Sequence, residues 1–229
     1  MGLNISLCFV EWKPCWRIIP SRFPPIGLFD RVADPADLEA IYELEAMTNP
    51  RLREEVGDLA MLVSEDRISG PGTSAIMAAF THLTPGGSRF TDGSYGVFYA
   101  ANNIETAIEE TKYHRIRFMS ATNEKPQDLD QRVYVVDLAA DLHDLRGLKD
   151  IHPLVYHPQN YSAGQHLAIE LKKSGSYGIA YDSVRQKDGE CVAIFRPSVL
   201  SNCRQERHLT YVWDGTTIKT VYEKRLFGI

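Results

Sequence analysis

The sequence predicts an α+β fold in a single domain, and three features support this class. The chain has 229 residues, of which 44% are hydrophobic and 24% charged, values typical of a globular protein with a buried core. Helix-like segments are concentrated in the first half and strand-like segments in the second, which favours α+β over a doubly wound sheet. No Gly-x-Gly-x-x-Gly follows a strand and no P-loop motif occurs, so the signatures of Rossmann and P-loop folds are missing.

Composition also restricts the partners and the compartment. The net charge of -5 argues against a protein held to nucleic acid mainly by its own basic surface. No apolar run approaches the roughly 20 residues of a membrane helix, and the N-terminus lacks the pattern of a signal peptide. The four cysteines form no C-x-x-C motif. We therefore expect a soluble, cytoplasmic protein with reduced thiols and no membrane contact.

In the first half, turn and capping residues mark a strand and three helices. The segment C-W-R-I-I-P, residues 15–20, reads as a strand that ends before Pro24-Pro25. Helical spacing predicts helices over residues 35–47 and 51–63, which together form a helical insert over 34–63. Thr73 is predicted to cap a further helix that ends at Phe80.

The second half is predicted as strands with two helices between them. In chain order these are a strand over 96–101, a helix over 103–118 capped by Asn102, a strand over 132–138, a helix over 162–174 closed by Gly175, strands over 178–181 and 190–195, and a hairpin with strands over 209–213 and 217–222.

Metal and thiol chemistry find little support in the sequence. His152, His157 and His166 lack the helical spacing of a zinc site, and no cysteine or carboxylate ligand completes one, so no metal is expected. No Gly-x-Ser-x-Gly motif indicates a hydrolase. Cys191 lies in an apolar strand, where burial would raise its pKa and make it a poor nucleophile.

Residues 86–114 are the most informative stretch. A Gly-rich turn presents Arg89, a strand carries Tyr99, and the following helix holds two adjacent glutamates. At roughly 100° per residue, Glu110 lies about 110° from the centre of the apolar stripe and Glu109 about 150°, so Glu110 borders the core while Glu109 faces solvent. From spacing alone, Glu110 either lines a cleft or pairs with a surface cation.

A second unit is Y-D-S-V-R, in which Ser183 follows a short strand. A serine at a strand end commonly bonds only to the nearby backbone. Spacing alone leaves open whether Ser183 does this or contributes to a site.

Taken together in this order, these residues resemble the RES-domain family, the toxins of RES–Xre toxin–antitoxin modules, which is named for an Arg, a Glu and a Ser. The family pattern is a Gly-rich turn with an Arg and an aromatic residue, a strand Tyr, a helix of the form A-x-x-E-x-x-x-H, and a late strand element with the Ser. The matching residues here are Arg89, Tyr99, Glu110 and Ser183. The opening C-W-R-I-I-P, which contains Arg17, is similar to the family's usual first strand. The resemblance covers about residues 15 to 200.

The resemblance implies a fold similar to ADP-ribosyltransferases, with a compact β core and flanking helices, and NAD as a substrate. Cleavage of the nicotinamide–ribose bond passes through an oxocarbenium-like state, which Glu110 would stabilise while holding ribose hydroxyls. Arg89 would bind the pyrophosphate, and Tyr99 would stack on or hydrogen-bond the nicotinamide side. Ser183 would position the ribose or the carboxamide. Arg17 joins Arg89, Tyr99 and Ser183 in the set expected to bind NAD.

The function implied is that of an NAD-degrading toxin held inactive by a DNA-binding Xre-type antitoxin, which alone would contact nucleic acid. The acceptor stays open between water, phosphate and a protein side chain, as does the oligomeric state, a homodimer included. A catalytically silent module that binds a nucleotide in the same cleft, or only an antitoxin, also stays open. Residues 1–229 are expected to form one domain, with a core over about 15–200 and a C-terminal hairpin over about 208–223.

Overall fold

A computed structural model describes residues 5–21, 30, 61–83, 85–225 and 227–228. Within them the elements run in the order β1 (Leu7–Pro20), α1 (Thr73–Thr81), β2 (Phe98–Ala101), α2 (Ile104–Ala121), β3 (Gln127–Asp144), α3 (Ser162–Lys173), β4 (Gly178–Asp182), β5 (Glu190–Ile194), β6 (Leu200–Trp213) and β7 (Ile218–Lys224). Two short 3-10 turns cover Ser64–Asp66 and Pro197–Val199. Nearly all of the predicted insert over residues 34–63 falls outside the described residues.

The seven described strands form one sheet in the order β1-β2-β5-β4-β3-β6-β7, and β1 also pairs with β3. This extra pairing joins β1, β2, β5, β4 and β3 into a ring, from which β6 and β7 extend. Within the described sheet, only β3 and β4 run parallel, and the chain between them contains α3. A largely antiparallel sheet flanked by helices confirms the predicted α+β class.

The described elements follow one another in the predicted order, and each described helix lies between two strands. The predicted concentration of helices in the first half depends on residues 34–63, nearly all of which lie outside the described residues. Three strands are much longer than predicted: β1 begins at Leu7, β3 extends from Gln127 to Asp144, and β6 begins at Leu200 rather than near residue 209. The added ends of β3 mix polar and apolar residues, with exposed and buried positions interspersed, so no apolar run marks them.

Each face of the sheet carries its own apolar cluster. Along β2, Phe98 and Ala100 belong to one cluster, and Tyr99 and Ala101 to the other. This follows from the alternation of side chains in a strand. The first cluster includes buried residues of α1, and the second includes buried residues of α2 and α3. We call these sides of the sheet the α1 face and the α2/α3 face.

Two predicted helix caps are wrong by one residue. The N-cap of α2 is Asn103, whose side chain accepts Thr106 N–H at 2.8 Å. Asn102 instead accepts Glu190 N–H at 3.3 Å and so belongs to the link between β2 and β5. Thr73 is the first residue of α1 rather than its cap, and its hydroxyl donates to Gly70 O at 2.7 Å.

The cysteines are free, as predicted. Burial raises the pKa of the Cys191 thiol well above its ordinary value, in agreement with the expectation that this residue is a poor nucleophile. Among the described helices, none has the length and apolar character needed to cross a membrane. The described residues contain no cluster of three or more His, Cys, Asp or Glu side chains arranged to hold a metal ion.

Candidate active site

Glu110 and Ser183 are hydrogen-bonded to each other. Ser183 Oγ lies 2.6 Å from Glu110 Oε1, and it accepts the backbone N–H groups of Arg185 at 3.0 Å and Gln186 at 2.9 Å. A serine hydroxyl has one hydrogen and two acceptor positions. Because backbone donors use both acceptor positions, the hydroxyl hydrogen points to the Glu110 carboxylate. Ser183 therefore makes the local backbone bonds expected of a strand-end serine and a long-range bond as well.

The turn after β4 packs against the first turn of α2, and this contact brings the pair together. Ser183 N–H donates to Gly189 O at 2.7 Å, which closes the turn between β4 and β5. A Cβ atom on Gly189 would lie 2.5 Å from Thr106 Oγ1, and Thr106 is fully buried. Only a residue without a side chain allows this approach.

Glu109 and Glu110 have different surroundings, in line with the helical spacing. Glu109 Oε1 pairs with Lys112 Nζ at 2.7 Å, and 38% of the Glu109 side chain is exposed. Glu110 instead accepts its hydrogen bond from the buried Ser183 hydroxyl. Of the two adjacent carboxylates, Glu110 is therefore the one that is hydrogen-bonded to a buried side chain.

Tyr99 fixes both residues that flank Arg89. Its hydroxyl lies 2.6 Å from Ser88 Oγ and accepts Phe90 N–H at 3.0 Å. Burial raises the pKa of Tyr99 to about 12, so the hydroxyl stays protonated at neutral pH. Through these two bonds the Gly-rich turn is attached to β2, and Tyr99 controls the position of Arg89.

Arg89 is a buried cation that binds the loop after β3. Only 7% of the residue is exposed, and Nη1 donates to Val155 O at 2.8 Å and to His157 O at 3.1 Å. The guanidinium carbon lies 4.8 Å from the centre of the Tyr161 ring. These partners are carbonyl oxygens and an aromatic ring rather than carboxylates. Within the described residues, the positive charge of Arg89 is therefore not neutralised by them.

Helix α3 holds the same turn from the other side. A Cβ atom on Gly164 would lie 2.5 Å from Arg89 O, so the absence of a side chain lets the helix reach the turn. Gln165 Nε2 donates to Ser88 O at 3.0 Å and to Thr91 O at 3.2 Å. The backbone on both sides of Arg89 is thus fixed by α3 as well as by β2.

The loop over residues 155–158 connects the two halves of the site. Its first part binds Arg89, whereas Pro158 O accepts hydrogen bonds from Tyr113 of α2 at 3.3 Å and from Arg185 Nη2. The guanidinium carbon of Arg185 lies 3.3 Å from the centre of the Tyr113 ring. The same loop therefore contacts Arg89 at one end and, at the other, Arg185, which lies two residues after Ser183.

Two buried residues of the sheet lie within electrostatic range of both halves. Burial raises the pKa of Tyr181 and of Cys191, and the charges of Glu110 and Arg89 also act on both groups. Tyr181 packs edge-on against Phe90 with ring centres 5.0 Å apart. This packing attaches the Gly-rich turn to β4, the strand that leads to Ser183.

The structure does not bring Arg17 together with the other four predicted site residues. Its guanidinium carbon lies 4.6 Å from the centre of the Phe98 ring, on the α1 face of the sheet. Among the described residues, Arg17 Nη1 donates to the backbone oxygen of Tyr99, at 3.0 Å, while the Tyr99 side chain points to the α2/α3 face. Burial lowers the pKa of Arg17 to about 10, so it remains charged at neutral pH.

A cleft of about 440 Å³ next to Ser183 contains charged residues that the sequence analysis missed. Its lining residues are Lys149, Pro153, Tyr156, Pro158, Ser183, Val184, Arg185, Gln186 and Lys187. The sequence S-V-R-Q-K carries two of the three cations directly after Ser183, a signal that could have been used. The sequence gives no such signal for Lys149, because it lies 34 residues before Ser183 and only the fold brings the two residues together.

The fold and the site define the class of protein: an α+β protein with a carboxylate–hydroxyl pair and a buried arginine on one face of its sheet. The RES domain family model matches residues 65–214, which include Arg89, Tyr99, Glu110 and Ser183. The chain belongs to the RES domain family.

Two further proteins are similar to this chain. "Uncharacterized protein y4oC" of Sinorhizobium fredii is 31% identical over 208 residues, which cover 90% of this chain and 86% of that protein. The crystal structure of the M. tuberculosis MbcT–MbcA toxin–antitoxin complex contains a similar chain, with a TM-score of 0.48 and 9% identity. That similarity covers 90% of this chain and 86% of the other.

Proposed function

We propose that this RES domain protein is an NAD-consuming toxin of a toxin–antitoxin module, and that it cleaves the bond between nicotinamide and ribose. The observation that carries the proposal is the 2.6 Å hydrogen bond between Ser183 Oγ and Glu110 Oε1. A carboxylate oriented by a buried hydroxyl is a preorganised negative charge, which suits a reaction whose transition state is positively charged.

In the proposed reaction the bond from ribose C1′ to the nicotinamide nitrogen breaks, and its electron pair neutralises the pyridinium ring. Glu110 stabilises the positive charge that develops on the ribose, and Ser183 holds the carboxylate in place. An acceptor oxygen then forms the new bond to C1′, and an acceptor that carries a hydrogen, such as water or a protein hydroxyl, releases that proton to solvent. The same first step serves hydrolysis, phosphorolysis and transfer to a protein.

Arg89 and Tyr99 support binding in this proposal. The guanidinium supplies a fixed positive charge to the pyrophosphate of NAD, because its described partners are neutral. Tyr99 positions Arg89 through Ser88 and Phe90 and offers its ring to the nicotinamide side. Arg17 lies against the Phe98 ring on the α1 face and donates to the backbone oxygen of Tyr99, so the proposal gives it no contact with NAD.

The proposed partner is a DNA-binding antitoxin of the Xre type, which the family resemblance implies. With a net charge of -5, the toxin itself would leave contact with nucleic acid to this partner. The proposed place of action is the cytoplasm, where NAD is available.

Incubation of the purified protein with NAD, with and without phosphate and with added protein, tests the proposal. Mass spectrometry should detect released nicotinamide together with ADP-ribose, a phosphate-dependent ADP-ribose phosphate, or ADP-ribose attached to protein. These three products identify water, phosphate and a side chain as the acceptor. If NAD stays intact and no added protein carries ADP-ribose, the proposed enzymatic activity is refuted. The alternative of a catalytically silent binding module then remains.

A further inference from the structure

The cleft next to Ser183 has a cationic lining. Its charged lining residues are Lys149, Arg185 and Lys187, and none of the described residues that line it is acidic. This bias contrasts with the chain as a whole, whose net charge is -5. Ser183 lines the cleft and donates to Glu110, so the cleft is separated from the candidate catalytic carboxylate by the side chain of Ser183.

Two of the cations are held in place with donors left over. Lys149 Nζ donates to Ser183 O at 2.9 Å and lies 5.7 Å from the centre of the Tyr156 ring. An ammonium group has three hydrogens, so others remain for a ligand. Arg185 is fixed by Pro158 O and the Tyr113 ring.

Arg185 also has a donor without a partner. Its Nε is buried and makes no hydrogen bond to any residue that the structure describes. Leaving a buried donor unpaired is unfavourable, so the described residues do not satisfy all the donors of this guanidinium. A guanidinium beside ammonium groups is the combination that recognises phosphate oxygens.

We infer that this cleft is a phosphate-binding subsite that places a phosphate group next to Ser183, the residue that donates to Glu110. The bound phosphate group has two possible sources, the diphosphate of the dinucleotide substrate and a free phosphate acceptor. That these are the two sources rests on the proposed function. Both sources present the same chemistry: several anionic oxygens that accept hydrogen bonds from the three cations. The subsite adds Lys149, Arg185 and Lys187 to Arg89 as the groups that set affinity for the substrate.

Lys187→Glu is the test variant, since Lys187 is exposed and its replacement leaves the packed side chains in place. Lys173→Glu is the matched control, because it makes the same charge change at an exposed position at the end of α3, outside the cleft. Calorimetric titration with inorganic pyrophosphate and with inorganic phosphate measures anion binding without turnover. We expect Lys187→Glu to weaken pyrophosphate binding about tenfold, the effect of losing one charged contact, and Lys173→Glu less than about twofold.

Steady-state kinetics then identify the source. A raised KM for NAD in Lys187→Glu, at any phosphate concentration, assigns the subsite to the dinucleotide diphosphate. An unchanged KM for NAD with a raised KM for phosphate assigns it to the acceptor. Equal anion affinity in wild type, Lys187→Glu and Lys173→Glu overturns the inference, as does the absence of anion binding.

Failure of this inference can be told apart from failure of the proposed function. If NAD is cleaved but anion binding is unchanged in Lys187→Glu, the subsite is refuted and the proposed function stands. If pyrophosphate binding weakens in Lys187→Glu but NAD stays intact, the subsite stands and the proposed function is refuted.

Discussion

At the scale of single residues, the site depends on two hydroxyl groups, each of which makes more than one hydrogen bond. Ser183 uses its hydrogen for Glu110 and accepts two backbone N–H groups. Tyr99 joins Ser88 Oγ to Phe90 N–H. Substitution of either residue therefore changes the geometry of a turn as well as removing a polar group.

We expect Tyr99→Phe to fold, but with lower stability and weaker substrate binding. The change leaves the N–H of the buried Phe90 without its acceptor, which costs about 1–3 kcal/mol of unfolding free energy. The turn that carries Arg89 loses its attachment to β2, so KM for NAD should rise more than kcat falls. Urea unfolding and steady-state kinetics measure the two effects. Tyr222→Phe, at a 60% exposed position, is the control, and equal stability and KM in wild type and Tyr99→Phe would contradict the assignment.

The orientation of Glu110 could be predicted because helix geometry alone determines it. The spacing from the apolar stripe separates Glu110 from Glu109, and the structure gives the two residues different partners. The face occupied by Arg17 could not be predicted. It depends on the pairing of β1 with β3 and β2, and these contacts between distant segments leave no periodic signal in the sequence.

At the scale of elements, two glycines allow helices to approach the site. Gly189 brings the turn after β4 to Thr106 of α2, and Gly164 brings α3 to the backbone of Arg89. In both cases a Cβ atom would lie 2.5 Å from an atom of the neighbouring segment. The distance between the functional groups is therefore determined partly by residues that carry no functional group themselves.

Gly189→Ala should separate the turn from α2 and weaken the bond between Ser183 and Glu110. Overpacking of this kind costs about 1–3 kcal/mol of unfolding free energy, and we expect NAD turnover to fall at least about tenfold. Thr106→Ala removes the atoms that the new Cβ would contact, Oγ1 at 2.5 Å and Cγ2 at 2.8 Å. The double variant should therefore recover most of the turnover.

The matched control for this experiment is Gly228→Ala, where a Cβ atom would have no neighbour within 4 Å. Turnover and urea midpoints of the two single variants and the double variant give the coupling between the positions. Wild-type turnover in Gly189→Ala, or no recovery in the double variant, would refute the role assigned to this contact.

Elements with a continuous apolar core could be predicted, and their ends could not. The central part of β3 was evident over residues 132–138, but Gln127–Asp144 form the whole strand. Its polar ends are strand only because β6 and β1 supply pairing partners. The start of α2 was predicted one residue early because Asn102 and Asn103 are equally good caps by type. Only the link from Asn102 to Glu190 decides between them.

At the scale of the whole molecule, Arg146 joins parts of the sheet that surround the site. It pairs with Asp144 at the end of β3 and with Glu190 at the start of β5, each at 2.8 Å. Glu190 directly follows Gly189, so these two ion pairs link the end of β3 to the turn that positions Ser183. The hydrogen bond from Arg146 lowers the pKa of Asp144.

Stability should therefore fall in acid, partly through Asp144. A carboxylate with a lowered folded-state pKa contributes stability that is complete above its unfolded pKa of about 3.9. That contribution is lost as the pH falls through the lower folded-state value. Between about pH 5 and about pH 3, we expect wild type to lose about 1 kcal/mol more than Asp144→Asn, a modest value because the pair is partly exposed.

Urea unfolding across this pH range measures the effect. Asp141→Asn, an exposed change on the same strand, is the control and should follow wild type. Parallel curves for wild type and Asp144→Asn would show that the pair contributes nothing measurable.

The most direct test of the central claim compares NAD consumption by wild type, Glu110→Gln and Glu109→Gln, followed as released nicotinamide. Both changes remove one charge from adjacent positions of α2, but only Glu110 accepts the bond from Ser183. We predict that Glu110→Gln lowers turnover at least about a hundredfold, as for other electrostatic groups at a reacting centre, with an unchanged thermal midpoint. Glu109→Gln should retain turnover within about twofold, since its pair with Lys112 is a surface contact. Undiminished turnover in Glu110→Gln, or its loss in Glu109→Gln alone, would contradict the account.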